Sequence, residues 1–184
     1  HLINLNERIR INGHPIENSD ISEYINSYKK NIETISASFF ETITIMAFWY
    51  FKKMNVDYAI METGLGGRLD SVTICNPIMT VITSISLDHS EILGNTLLKI
   101  TREKIGIIKN KTPCVTIKHP GEIEKIIQSE CIKKKAPLII SNNYDSLIYT
   151  PGLNGEVQLE NAHLAEVVIN TLPVQINKKN IING

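Results

Sequence analysis

A chain of 184 residues is long enough for a domain with a sizeable core, and 42% hydrophobic against 21% charged residues is the balance of an ordinary soluble globular protein. Nineteen basic and nineteen acidic side chains cancel, so no global field draws nucleic acid or an anionic membrane surface. Cys75, Cys114 and Cys131 are too far apart for a C-x-x-C zinc pair and fit a reducing compartment better than a disulfide framework. With no signal peptide and no run of apolar residues long enough to span a bilayer, the expectation is a cytoplasmic monomer that engages neither nucleic acid nor membrane.

The chain opens on His1 rather than Met and closes on a polar tail, Lys178-Lys179-Asn180-Ile181-Ile182-Asn183-Gly184, which suggests a piece of a longer protein. Residues 1–16 mix apolar and polar side chains without a period, and Asn12-Gly13 signals a turn, so a loop or short β-excursion carrying Glu7, Arg8 and Arg10 is expected. Asn18, Ser19 and Asp20 offer caps for a helix over 21–33 with Ile21, Tyr24, Ile25 and Tyr28 on one face. The longest helical candidate covers 36–54, where Phe39, Phe40, Ile43, Met46, Ala47 and Tyr50 form a broad apolar face. Glu41 near its start suits the positive end of the helix dipole, and the Phe39-Phe40 pair reads as core rather than as a ligand platform.

Residues 56–61, V-D-Y-A-I-M, read as a strand buried on both faces of a parallel sheet. Glu62 would then stand at its carboxyl end, where ligands of open α/β sheets collect, followed by Gly64, Gly66, Gly67, Arg68 and Asp70. The glycines permit close approaches that side chains forbid, although a Glu after a strand is often only a solvated or capping residue. The loop is neither G-x-G-x-x-G nor G-x-x-x-x-G-K-[ST]. After the turn at Asn76-Pro77, residues 78–85 give a second strand ending in Ser86-Leu87-Asp88-His89, an acid and an imidazole that together suit a divalent cation. A helix over 97–109 contains Glu103, Lys104 and Gly106; in isolation Lys104 would pass as a solvated surface lysine. Strands over 113–117 and 137–140 flank a basic amphipathic helix over 122–134, a turn-rich connection covers 141–157, and a last helix runs over 160–172. The alternation from residue 56 onward argues for a parallel α/β sheet.

Several ordered motifs go further. H-L-x-x-x-N-E-R-I with I-N-G-x-P-I opens the chain, then come F-F-E-T (39–42), E-T-G-L-G-G-R-L-D (62–70), T-S-I-S-L-D-H (83–89) with L-G-N-T, E-K-I-G-I-I-K (103–109) and P-G-L-N-G-E-V-Q-L-E-N-A (151–162). This series resembles the folylpolyglutamate synthase and dihydrofolate synthase family of the Mur ligase superfamily, over His1 to about Ala165. The resemblance implies a three-layer, P-loop-type Mur ligase central domain with a parallel sheet, lacking its first strand and phosphate loop. Residues 1–172 would form this partial ATP-binding domain and 173–184 a polar tail, the C-terminal glutamate-ligase domain being absent.

The family reaction that this implies is ATP-dependent amide formation. A folate or dihydropteroate carboxylate is phosphorylated to an acyl phosphate, which the amine of L-glutamate attacks; Mg2+ and positive groups hold the mutually repelling anions in line. Carried over residue by residue, Glu62 and His89 match magnesium ligands, and Lys104 matches a lysine that is carbamylated, a cation turned into an anion. Ser38, Phe39, Phe40 and Glu41, with Leu69, Asp70 and Ser71, match segments lining the pterin site, and Asn161 matches an asparagine that contacts adenine. Val157 stands where many members have His, Thr101 where Ala is commoner, and the connection over 141–151 looks shorter than usual by a strand pair. The chain by itself is expected to be inactive and to bind ATP weakly, since nothing in it cradles the phosphates. Two other readings stand beside this one: another Mur-type amino-acid ligase, such as a peptidoglycan-precursor enzyme, and a non-catalytic remnant module.

Overall fold

The structure, a computed structural model, describes residues 3–142, 152, 155–174 and 176–183. It divides into two compact units, His1–Gly64 and Leu65–Gly184.

In the first unit a 3-10 turn over Leu5–Arg8 begins where the Asn4 amide donates to the Glu7 carboxylate at 3.1 Å. A two-residue hairpin follows, β1 (Arg10–Ile11) against β2 (His14–Pro15). Its turn places Asn12 and Gly13 at φ 50° and 82°, the left-handed pair that tight hairpins select, so the expected β-excursion is present. Helix α1 covers Asn18–Ile35, starting earlier than the expected 21–33. Glu17 takes the N-cap backbone conformation, which puts Asn18, Ser19 and Asp20 inside the first turn instead of before it.

Helix α2 (Phe39–Lys53) is held at its start by a reciprocal box: Ser38 Oγ accepts from the Glu41 amide at 3.3 Å, and the Ser38 amide donates to the Glu41 carboxylate at 2.7 Å. Ile43, Met46, Ala47 and Tyr50 of α2 pack with Ile9, Ile16 and Tyr24 into the core of this unit. At the far end Lys53 Nζ donates to Asp20 at 2.8 Å and Glu23 at 2.7 Å and lies 5.0 Å from the centre of the Trp49 ring, pinning α2 to α1. Phe39 departs from the core expectation: at the first position of α2 it is 63% exposed, while Phe40 is half-buried.

The strand expected over 56–61 does not form. These residues are in no ladder among the described residues, with Tyr58 54% and Ile60 98% exposed; only Met61 packs on the core of its unit. An apolar β-branched run becomes a strand only where neighbouring backbone supplies hydrogen bonds, and the paired strands of the sheet all lie in the second unit.

The second unit opens with the glycine loop and a 3-10 turn over Ser71–Ile74. Its sheet has three parallel strands in the order β3 (Thr80–Ile82), β4 (Cys114–Ile117), β5 (Leu138–Ser141), in register Thr80↔Cys114↔Leu138. Between β3 and β4 run α3 (Ser90–Leu93), α4 (Leu97–Lys104) and a 3-10 turn over Ile105–Ile107; α5 (Gly121–Lys134) joins β4 to β5; α6 (Glu156–Thr171) and α7 (Lys178–Asn183) follow. Ile105, Ile108, Ile123, Ile127 and Cys131 cover one face of the sheet through Ile82 and Cys114, while Leu164, Val167 and Val168 of α6 cover the other through Val115, Ile117 and Ile139. Three layers result, and β4 at the centre reads as continuous burial.

The second strand is three residues long rather than the expected 78–85, since it has a partner on one side only. The helix expected over 97–109 tightens into the 3-10 turn after Lys104, for a reason given below. The tail expected to lack an element carries α7, a six-residue helix. The turns expected at Asn142-Asn143, Pro151-Gly152 and Asn154-Gly155, and the short connection over 141–151, lie mostly outside the described residues.

Candidate active site

In the second unit the glycine loop is built around Asp70. Its Oδ2 accepts from the Leu65 amide at 2.9 Å and its Oδ1 from the Val72 amide at 2.9 Å, so one carboxylate closes the loop and caps the 3-10 turn behind it. Thr73 Oγ1 donates back to the Asp70 carbonyl at 2.6 Å, and Lys109 Nζ donates to the Thr73 carbonyl at 2.5 Å. Asp70 is buried at 9% exposure, whereas its neighbour Leu69 is 81% exposed and Ser71 is half-buried.

The same loop grips the segment that carries Lys104. The Arg68 amide donates to the Glu103 carbonyl at 2.9 Å, and the guanidinium forks onto the Glu103 carboxylate, Nη2 to Oε1 at 2.9 Å and Nε to both oxygens at 3.2 Å. Glu103 in turn holds the Arg68 guanidinium above its ordinary, already high, pKa. Two glycines make this approach possible. A Cβ on Gly67 would stand 2.8 Å from the Lys104 carbonyl oxygen and 3.0 Å from that of Glu103, and a Cβ on Gly106 would overlap the Arg68 backbone. The loop therefore lies over the last carbonyls of α4, which an α-helix leaves without intrahelical donors, and the helix tightens there into its 3-10 turn. Lys104 itself is half-buried, and no group among the described residues pairs with its amine.

His89 sits at the N-cap of α3 with φ 48°, its side chain 58% exposed and its Nε2 3.8 Å from an Asp88 carboxylate oxygen. The Asp88 carboxylate also accepts from the His89 amide at 2.8 Å, so this acid orients the residue beside it. Asn161 is half-buried in α6. In the first unit Ser38 and Glu41 form the box at the start of α2, and the two hydrogen bonds with Ser38 hold the Glu41 carboxyl below its usual range. Phe39 presents its ring beside the Arg8 guanidinium, 5.8 Å from the ring centre, and Glu62 is exposed. Among the described residues no three ligating side chains gather into a cation site.

Sequence reasoning passed over three pairs. Arg68–Glu103 joins two quoted motifs 35 residues apart. Ser141 Oγ meets His163 Nδ1 at 2.7 Å, tying the end of β5 to α6. Thr116 Oγ1 donates to the Ile82 carbonyl at 2.9 Å and so takes its 3.0 Å contact with His119 Nε2 as the acceptor. Only the last has a local signal, the three-residue spacing of Thr116 and His119.

A three-layer parallel unit with a glycine-braced loop against a lysine-bearing turn defines the class, and the Mur ligase middle domain family matches residues 16–167: the chain belongs to that family. Within it, the chain is 42% identical over 144 residues to the dihydrofolate synthase/folylpolyglutamate synthase of Bacillus subtilis, covering 74% of this chain and 34% of that protein. It is 35% identical over 179 residues to the mitochondrial folylpolyglutamate synthase of Bos taurus, covering 90% of this chain and 31% of that protein. Among solved structures, folylpolyglutamate synthase from Thermotoga maritima superposes with a TM-score of 0.87 at 28% identity, over 100% of this chain and 48% of that one. E. coli FolC in complex with DHPP and ADP superposes with a TM-score of 0.86 at 28% identity, over 100% of this chain and 47% of that one. The chain thus spans about a third of the length of these curated relatives and about half of the solved chains.

Proposed function

We propose that this chain supplies the middle-domain share of an ATP-dependent ligase that joins L-glutamate to dihydropteroate or folate through an acyl phosphate. The observation that carries this reading is the superposition of the whole chain on E. coli FolC, whose structure holds DHPP and ADP. The ordered motifs quoted above support the folate branch over a peptidoglycan-precursor ligase, and the 42% identity to a dihydrofolate synthase/folylpolyglutamate synthase supports it over a non-catalytic remnant.

In this reading Phe39, Phe40, Ser38 and Glu41 contact the pterin, which the exposure of Phe39 favours. Leu69 and Ser71 meet it from the glycine loop. Asp70 acts chiefly as the brace of that loop, since each carboxylate oxygen already accepts a backbone N–H. Asn161 offers adenine an amide donor and acceptor. Glu62 and His89 would hold Mg2+. One exposed carboxylate and one exposed imidazole suit a cation that takes most of its ligands from water and phosphate oxygens, as Mg2+ does, and not one needing a closed protein cage. Bound there, the cation would screen the charge of the phosphoryl group in transfer. Lys104, as a carbamate, would place a negative oxygen beside it. Three free cysteines and the absence of any described helix long and apolar enough to cross a membrane accompany a cytoplasmic reading.

The test is transplantation. Replacing the matching segment of the Bacillus subtilis synthase with this chain should leave a ligase that releases ADP only when dihydropteroate and glutamate are both present. In that chimera Lys104→Ala should lower kcat strongly, and short carboxylic acids should restore part of it. A folded chimera without glutamate-dependent turnover would sink the proposal.

A further inference from the structure

We infer that Arg68 and Glu103 are the positioning pair for Lys104, clamping the glycine loop onto the turn that carries this lysine so that its amine is presented unpaired. The inference rests on the carbamate reading of Lys104 given above. Four independent contacts converge on one turn: the Arg68 amide on the Glu103 carbonyl, the forked guanidinium on the Glu103 carboxylate, the close pass of Gly67 over the Lys104 carbonyl, and that of Gly106 under the Arg68 backbone.

Only an amine with its lone pair free adds to carbon dioxide, so a turn that presents Lys104 for this reaction must hold it clear of other partners. With Glu103 committed to the fork, whose planar geometry a lysine cannot copy, Lys104 has no partner among the described residues and remains half-buried. The fork also brings a fixed positive charge to the carbonyl end of α4, where the helix dipole favours it. When the neutral amine adds to carbon dioxide, an N–C bond forms, one proton leaves to water, and the product is an anion on a turn whose backbone the clamp has already set.

The experiment uses the chain itself, equilibrated with 13C-labelled bicarbonate and Mg2+, with the carbamate resonance read by NMR and assigned by its loss in Lys104→Ala. Arg68→Ala should lower carbamate occupancy by about tenfold, the low end of the cost of removing a partner that orients a functional group, with the far-UV spectrum unchanged. Arg68→Lys, which keeps the charge but not the fork, should fall in between, and the reversal Arg68→Glu with Glu103→Arg should recover more than either single change. If Arg68→Ala fails to fold, Arg68→Lys decides. Wild-type occupancy in a folded Arg68 variant overturns the positioning pair and leaves the carbamate reading standing. No carbamate in the unaltered chain removes that reading, and the pair's assigned role with it.

Discussion

Two short apolar runs of this chain, both containing Val and Ile, meet opposite fates. Cys114-Val115-Thr116-Ile117 becomes β4, with every residue at 6% exposure or less, while Val56-Asp57-Tyr58-Ala59-Ile60-Met61 pairs with nothing described and leaves Ile60 98% exposed. Propensity differs only in part, through Asp57 and Ala59, since Val56, Tyr58 and Ile60 are as good β-formers as the residues of β4. β4 has a ladder on each edge, to β3 and to β5, and a helical layer on each face. The earlier run has no ladder among the described residues, and only its last residue, Met61, packs on a core. Burial in a parallel sheet is thus a property of position among other strands, and apolar composition only permits it.

The largest effect expected from this contrast is at the centre of β4. Val115→Asp places a carboxylate at a site with no exposure, opposite α6. An uncompensated buried charge costs about 3–5 kcal/mol, a large share of the stability of any domain, so urea titration should show the second unit unfolded or nearly so. A cooperative transition near the wild-type midpoint would mean that β4 is not the closed centre described here.

A smaller effect lies just beyond the same strand. Burial pushes His119 below its ordinary pKa, against the weaker opposing influence of Glu124, so the folded unit holds this imidazole neutral. A group whose folded pKa lies below its unfolded one contributes stability that is present above the unfolded value, near 6.5, and is lost as pH falls through the folded one. Urea midpoints should therefore drop on acidification below that value. His119→Gln, which keeps a donor for Thr116 Oγ1 without a titrating ring, should flatten the drop. An unchanged pH profile in His119→Gln would assign the acid sensitivity elsewhere.

What was legible in the sequence follows the same division. Helices α5 and α6 and strands β4 and β5 fall within a few residues of expectation, because Pro113, Pro137 and the 3.6-residue period are local marks. The Ser38-x-x-Glu41 box that starts α2 is an equally local mark, though in the sequence Glu41 is read only for its place at the helix dipole and the helix is expected from residue 36. The glycine loop stands out in the sequence, but the contacts that require its glycines do not. Gly67 and Gly106 are small because Arg68 and the end of α4 meet there, and a contact across 35 residues leaves no mark in one sequence. Glu62 and His89 stand out by their places after apolar runs, whereas the role expected of Lys104 comes from the resemblance alone, since in isolation it reads as a solvated lysine. Residues 56–61 were misread because period and composition speak of what a strand needs from its own side chains, never of whether a neighbour is present.

Next in size is the cap of α2. Ser38→Ala removes the acceptor for the Glu41 amide and leaves half of a reciprocal box, so the first unit should lose about 1 kcal/mol. The Ser38 hydroxyl and amide hold the Glu41 carboxyl below its usual range, so only the carboxylate's share of the box, present above the ordinary carboxylate pKa, is lost as pH falls through the lowered one. The difference between Ser38→Ala and wild type should accordingly shrink in acid. A difference that persists unchanged at low pH would separate the cap from the carboxylate.

The smallest expected effect is the most exacting for the contrast itself. Ile60→Asp puts the same charge used at Val115 into the other run, at a side chain 98% exposed. If residues 56–61 stand outside every ladder, the carboxylate stays hydrated, no partner is lost, and the change in unfolding free energy should lie within about 0.5 kcal/mol, the ordinary range for a surface substitution. The alternative is that this run enters a sheet in solution. Its even-numbered side chains would then be enclosed by flanking layers, and the substitution would cost several kcal/mol, as at Val115. Measured side by side in urea, the two aspartates separate these cases without reference to activity. A loss at Ile60 comparable to that at Val115 would place both runs in the same kind of environment, and the distinction between a strand and a merely strand-like sequence would have to be abandoned for this chain.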